Sequence, residues 1–285
     1  MDAVAAIVFH AFLDKSPLKQ ELLGYLSQAD ATRVKTLEQR REDPSLGFPR
    51  PSDYLHNVHS SWFSPFLRTL PESDIRLFLS SLSPEQVTGL STLLGFSNHL
   101  PALSFLAAQY LKQTLFDQIA PSMLLPLACL PQSPLNTLLD LDHSEWDRLI
   151  DLMSMHDLST EIRHIIETTK LKQIYEVLTP AQSDYLKVLT YKKEPVTFKK
   201  IGLTNWNGDA EALKLTLTQR GINRIAKALH SHESSLIWYL SHYLDIEKGT
   251  TLLKLCSPLD HPQAAHVLGR QVVDVISLIH FHTPG

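Results

Sequence analysis

At 285 residues, 44 % apolar and 20 % charged, the chain can bury a core sized for one large domain or two ordinary ones, which excludes disordered and collagen-like chains. Seventeen prolines stand against only ten glycines, a balance that suits many helices punctuated at their starts and disfavours glycine-rich phosphate loops and long β-meanders. A formal charge of −4 exerts no overall pull toward nucleic acid or anionic lipid, so any electrostatic recognition must come from local patches.

The opening run from Met1 to Leu13 starts with an acid and reaches Asp14 too soon to span a bilayer or serve as an export signal, and reads as a first packed helix. Residues 1–42 form an N-terminal helical segment. Pro44, Gly47, Pro49 and Pro51 crowd a polar stretch that helix and strand both tolerate badly, which marks a linker over 43–53. Residues 54–191 then read as a duplicated helical-hairpin domain, and 192–285 as a basic C-terminal helical domain. No other apolar run approaches membrane length, since even Met123 to Leu130 is broken by Pro126; the expectation is a cytoplasmic chain with no direct membrane insertion, peripheral at most to a membrane-associated complex.

Helix starts are written as hydroxyl–proline pairs: Ser16-Pro17, Ser64-Pro65, Ser83-Pro84, Ser133-Pro134 and Thr179-Pro180 each place a capping side chain before a proline whose missing N–H costs nothing in a first turn. Gln86 and Glu145 sit where a capping box needs them, three residues after Ser83 and Asp142. The one stretch with β character is 194–203, which ends near the Asn207-Gly208 turn signal and is either a short β-hairpin or a connector. The segment 234–244 is apolar on nearly all sides, and 263–281 closes the chain with a long apolar-periodic helix. Such helices must be covered by their own core or by another chain, which leaves oligomerisation open. Gly221, inside a periodic segment, marks a helix break or a close-packing point.

Between the two boundaries the sequence overlies itself at an offset of 96 residues. Ile75, Leu79, Leu82, Ser83, Pro84, Gln86, Leu90 and Leu93 fall on Leu171, Tyr175, Leu178, Thr179, Pro180, Gln182, Leu186 and Leu189. Shared capping chemistry produces such a match, and so does an internal duplication that builds stacked helical hairpins of armadillo or HEAT type. The fold class expected is all-α.

Catalytic signatures are missing: there is no Gly-x-x-x-x-Gly-Lys, Gly-x-Gly-x-x-Gly or Gly-x-Ser-x-Gly. Carboxylates are scattered along loops and helix starts, with no candidate acid–base pair. Cys129 and Cys256 lack any metal or disulfide spacing and read as small core residues in a reducing compartment. His56 with His59, His230 and His232 with His242, and His280 with His282 are the nearest approaches to metal spacing, and none fits a template. No enzyme activity and no cofactor are expected; the alternative is a helical enzyme or a ligand or metal binder using clustered histidines.

Charge is unevenly spread. From Lys187 to Lys227 there are nine basic residues against three acidic, leaving about −10 for the rest of the chain. Arg220, Arg224 and Lys227 fall on one helical face opposite Ile222, Ile225 and Leu229. With Lys192, Lys193, Lys199 and Lys200 they are the candidate partner-binding residues, an electrostatic dock for an acidic protein surface. Nucleic acid is not the expected partner, because Trp206 and Trp238 sit in apolar patterns that suit core anchoring.

The run from Ile75 to Val87, an apolar helix ending in Leu82 before the capped Ser83-Pro84-Glu85 step, resembles the armadillo-type helical motif of the flagellar rotor protein FliG. The likeness covers two stretches of about 25 residues, under a fifth of the chain. In size, helicity and lack of catalytic motifs the chain is also similar to the cytosolic accessory subunits of bacterial type III secretion systems of the SctK class. That resemblance implies a non-enzymatic adaptor or scaffold that bridges proteins of a sorting platform or rotor-like assembly.

Overall fold

The computed structural model describes residues 6, 9–10, 12–13, 16–37, 51–95, 100–259 and 262–281. Every regular element among them is helical and none is a strand, so the chain is all-α. It divides into two compact units, Met1–Leu55 and His56–Gly285. Most of the expected linker, 43–50, lies outside the described residues, while Pro51–Asn57 form a 3-10 helix. The expected division at 191/192 falls inside the second unit, because helices on either side of it share one core.

The first unit holds α1 (Lys19–Gly24) and α2 (Gln28–Leu37). Its small core gathers Ala6, Leu13 and Val34, with Phe9, Leu22, Leu23 and Leu26 packed against them. Ser27 caps α2, accepting the Asp30 N–H and donating to the Asp30 carboxylate.

The second unit contains α3 (Ser64–Leu67), α4 (Glu72–Ser80), α5 (Pro84–Leu94), α6 (Phe105–Ile119), α7 (His143–Ile162), α8 (Thr168–Val177), α9 (Pro180–Thr190), α10 (Ala210–Leu229), α11 (Ser234–Tyr243), α12 (Ile246–Leu255) and α13 (Pro262–Phe281). Its centre is α7, buried on most of its circumference and packed against α9, α10 and α13. Asp142 starts α7 with a complete capping box: its side chain accepts the Glu145 N–H while Glu145 accepts from the Asp142 N–H.

The hydroxyl–proline pairs have different outcomes. Ser83 and Thr179 cap α5 and α9, each with Gln at the third position closing a full box. Each Gln also faces a neighbour: Gln86 donates to the Val58 carbonyl at 2.8 Å, and Gln182 hydrogen-bonds Asp151. Ser133 caps a 3-10 helix, Pro134–Asp140, in place of an α-helix, and Ser64 is the first residue of α3 with Phe63 at its cap position. The two segments related by the 96-residue offset therefore fold alike locally, as helix, capped proline, helix. Their surroundings differ, with α4 and α5 against α6 and the 3-10 turn Ser60–Phe63, and α8 and α9 closing over α7 and α10.

The long helices α7 and α10 approach closely at Gly221, where a Cβ would stand 2.0 Å from the Ile150 carbonyl oxygen. Gly221 is thus a packing point inside an unbroken helix. Gly249 does the same for α12, since its Cβ would lie 2.2 Å from the Ser241 carbonyl oxygen. Beside that contact the His242 ring is stacked between two indoles, 4.0 Å from Trp62 and 4.2 Å from Trp238. Its Nδ1–H donates to the Trp238 carbonyl, while Trp238 and Trp62 donate to the carbonyls of Ile119 and Leu244. Trp238 is a core anchor, as its apolar pattern predicts. Cys129 is exposed and Cys256 half-buried, so neither fills the core position expected of it. No helix among the described residues is long and apolar enough to cross a membrane.

Replacing Gly221 by Ala is expected to destabilise the second unit by about 1–3 kcal/mol, the usual cost of overpacking, because the clash is with backbone. Gly24→Ala, with nothing within 4 Å of the added carbon, leaves stability unchanged or raised. Urea unfolding of both variants checks this. A second expectation concerns acid. Burial pushes the His242 pKa from 6.5 down to about 4, against a weaker upward pull from the Trp238 carbonyl. Between those values the unfolded chain binds the proton and the folded chain does not, so stability falls as pH drops from about 6.5 toward 4, by roughly 1–2 kcal/mol at pH 5 from this group. His59 and His232 are lowered too, chiefly by burial. His242→Phe, which keeps the stack, is therefore expected to flatten part of the decline in thermal midpoint between pH 7 and pH 5.

Candidate functional site

Four of the nine basic residues between Lys187 and Lys227 lie on the connection between α9 and α10. From 193 to 199 its residues alternate, Lys193, Pro195, Thr197 and Lys199 exposed and Glu194, Val196 and Phe198 covered. This period of two is what makes the stretch look like a strand in the sequence. With no partner strand beside it, 194–203 is a connector, and side chains from the neighbouring helices hold it in place of a ladder.

The centre of that hold is Arg224, whose side chain is 0 % exposed. Its Nε donates to Asp157 Oδ1 at 2.8 Å, Nη1 to Glu194 Oε1 and Gln271 Oε1 at 3.1 Å each, and Nη2 to the Val196 carbonyl at 2.9 Å. The guanidinium also lies 5.4 Å from the centre of the Phe198 ring. Glu194 accepts in turn from Gln271 Nε2 at 2.8 Å and from His156 Nδ1 at 2.7 Å. With the proton on Nδ1, His156 Nε2 accepts the Tyr185 hydroxyl proton at 3.0 Å. Burial, with Glu194 and Asp274 adding to it, raises the Tyr185 pKa to about 12 and keeps that proton in place. Burial alone would raise Glu194, but the His156 hydrogen bond and the charge of Arg224 outweigh it and bring the carboxyl down to about 2.

Both ends of the connection are fastened as well. Arg163 Nη2 donates to the carbonyls of Leu189, at 2.8 Å, and Lys192. The buried Glu161 carboxylate accepts the backbone N–H groups of Ile201, Gly202 and Leu203, a wrap that needs the positive φ of +92° at Gly202. Arg220 Nη2 donates to the Lys200 carbonyl at 3.2 Å, and its Nη1 lies 3.8 Å from Asp157 Oδ2, an oxygen with no hydrogen-bond donor.

The sequence-predicted basic residues therefore divide into two sets. Arg224 is not on a solvent face: it is an internal anchor, and Arg220 is mostly covered beside it. Lys227 donates to the carbonyl and hydroxyl of Ser257. Residues at i, i+4 and i+7 share a face, but this face turns toward the connection and the end of α12. Lys192, Lys193, Lys199 and Lys200 are exposed, and among the described residues none has a carboxylate within ion-pair distance. Tyr191, 91 % exposed, stands next to them.

The residues missed from sequence are His156, Asp157 and Glu161 on α7, Glu194, and Gln271 on α13. Three polar residues within the buried interior of α7 were the available signal, and they correct the reading of carboxylates as scattered and solvated. His156 and Glu194 are sealed from solvent, which suits them to holding structure. The histidine groupings separate: His59 bonds Ser61, His232 bonds Ser133, His242 sits between indoles, and His280 Nε2 lies 3.5 Å from Glu145. His282 lies outside the described residues. No group of three His, Cys, Asp or Glu placed to hold a metal occurs among the described residues.

Arg224→Met is expected to cost about 3–5 kcal/mol, because it leaves two buried carboxylates without their cation. Equilibrium unfolding in urea measures the loss, and faster tryptic cleavage at Lys199 and Lys200 reports release of the connection. Glu194 contributes stability that is present above its ordinary value of 4.5 and disappears as pH falls through about 2, so Glu194→Gln reduces the acid sensitivity of unfolding in that window. No protein family, curated protein or solved structure matches the chain.

Proposed function

We propose that the chain is a non-enzymatic, cytosolic adaptor that docks an acidic protein surface through Lys192, Lys193, Lys199 and Lys200. The observation that carries this reading is the display of four unpaired ammonium groups on a backbone fastened at both ends and at its middle. Cations on a fixed backbone lose less conformational freedom on binding than cations on a loose loop, and they favour a partner of matching geometry. Tyr191 adds an exposed aromatic of the kind that anchors protein interfaces. The net charge of −4 favours a protein partner over nucleic acid, which a uniformly basic surface would suit better. The setting proposed is a type III secretion sorting platform or a rotor-like assembly.

The test is a variant with all four lysines changed to Glu. Partner capture from native lysate at low salt is expected to fall at least ten-fold relative to the natural chain, while the thermal midpoint stays within about 2 °C because exposed charges contribute little to folding. Equal capture by both chains, or none by the natural chain, would overturn the proposal.

A further inference from the structure

A groove of about 280 Å³ lies between α7, α9 and α13. Helices α9 and α13 both pack on α7. Leu152 of α7 and Ile279 of α13 are buried in it, while Val188 of α9, 51 % exposed, stands on its rim. Tyr185 also lines it, and because its hydroxyl is turned away to His156 Nε2 at 3.0 Å, the ring is what it gives the groove.

The directions of the three helices fix what stands at the two ends. Asp151 meets Gln182, His156 meets Tyr185 and Arg163 meets Leu189, so α7 and α9 run the same way. His156 also meets Gln271, and Glu145 meets His280, so α13 runs against them. Arg148 and Leu278, which both line the groove, therefore mark one end, and the last turn of α9 marks the other. At the first end Phe281, 90 % exposed and three residues after Leu278 on the same face, extends the apolar wall. At the second the Lys192 N–H bonds the Leu189 carbonyl and continues the helical turn, which sets Tyr191 and Lys192 beside Val188. Each end thus offers an exposed aromatic and a cation. From Ala181 to Lys192 the α9 wall is roughly 16 Å long, which about three turns of helix match.

The charges along the groove are predominantly positive. Arg148 is half-buried and has no carboxylate within ion-pair distance among the described residues. Asp184 is paired with Lys187, and Glu145 is committed to the start of α7 and to His280. Asp274, on α13 and facing Tyr185, is the carboxylate left over.

We propose that this groove holds an amphipathic α-helix of the acidic partner, its apolar stripe against Leu152, Tyr185, Val188 and Leu278 and its carboxylates at the two ends, on Arg148 and on Lys192 and Lys193. A basic amphipathic helix would meet like charge at both ends, and a uniformly acidic segment would leave the apolar walls in water and meet Asp274. The inference rests on the adaptor reading for the partner's charge, and adds which element docks and where its apolar contacts fall.

The probe is a fluorescent peptide of about three helical turns, with Leu along one face and Glu at both ends, titrated into the full chain and followed by anisotropy. Saturable binding is expected, at least ten-fold weaker for a peptide with its Leu changed to Ser and for one with its Glu changed to Lys. Val188→Glu in the chain is expected to weaken the probe at least ten-fold, and so is Tyr191→Ser, which removes an exposed ring of little weight in folding and leaves the thermal midpoint unchanged. The peptide comparisons need no altered chain. No binding of the probe would overturn the groove whatever the lysate capture shows, since that capture tests the lysines by themselves. Equal binding of the Leu-to-Ser peptide, lost when the four lysines are changed to Glu, would overturn the groove while the lysine dock stands. A dimer of the chain alone that Val188→Glu dissociates in sedimentation would give the groove to a second copy and overturn the proposal as well.

Discussion

Taking a guanidinium and two carboxylates out of water costs several kcal/mol per ion, and the second unit does this at Arg224, Asp157 and Glu194. The cost is offset because Arg224 and Glu194 each meet several hydrogen-bond partners in fixed geometry, including a backbone carbonyl of the connection that the network holds, while Asp157 pairs with Arg224 through Oδ1. Helix α7 supplies His156 and Asp157, α10 supplies Arg224, and α13 supplies Gln271, so three helices meet through one guanidinium. A hydrophobic replacement could match this in stability. It could not set the position of an extended segment with no strand to pair with.

That arrangement depends on how closely α7 and α10 can run. The contact of Gly221 with the Ile150 carbonyl brings the helix backbones together one turn before Arg224, so the short reach from Arg224 to Asp157 follows from the glycine. Apolar contacts beyond it, from Met155 and Leu158 to Leu213 and Leu217, supply the nonspecific part of the stability. The polar network then selects one path for the chain between α9 and α10 out of many that the apolar core would allow. Fastening the inner edge leaves the outer edge to the lysines, which couples the interior of the fold to its proposed docking surface.

Around Arg224 nearly every donor and acceptor is matched, with Asp157 Oδ2 the exception. A matched network of this kind holds structure. His242 is likewise committed, its ring between two indoles and its Nδ1–H on the Trp238 carbonyl.

Local chemistry was legible in the amino-acid sequence because its causes lie within a few residues. The capping boxes at Ser83, Asp142 and Thr179, the all-α class and the positive charge of the 192–200 stretch all follow from spacings of three or four and from composition. The burial of Ile222, Ile225 and Leu229 on α10 was legible, but the covering of the opposite face was not, because a helical wheel places Arg220, Arg224 and Lys227 together without saying what stands against them. A charged residue is read as solvated unless its counter-charge is known, and the counter-charges of Arg224 lie 67 residues before it in Asp157 and 30 before it in Glu194. Only the tertiary structure brings those separations within hydrogen-bond distance, and so it alone decides that one arginine is an anchor while four lysines remain at the surface.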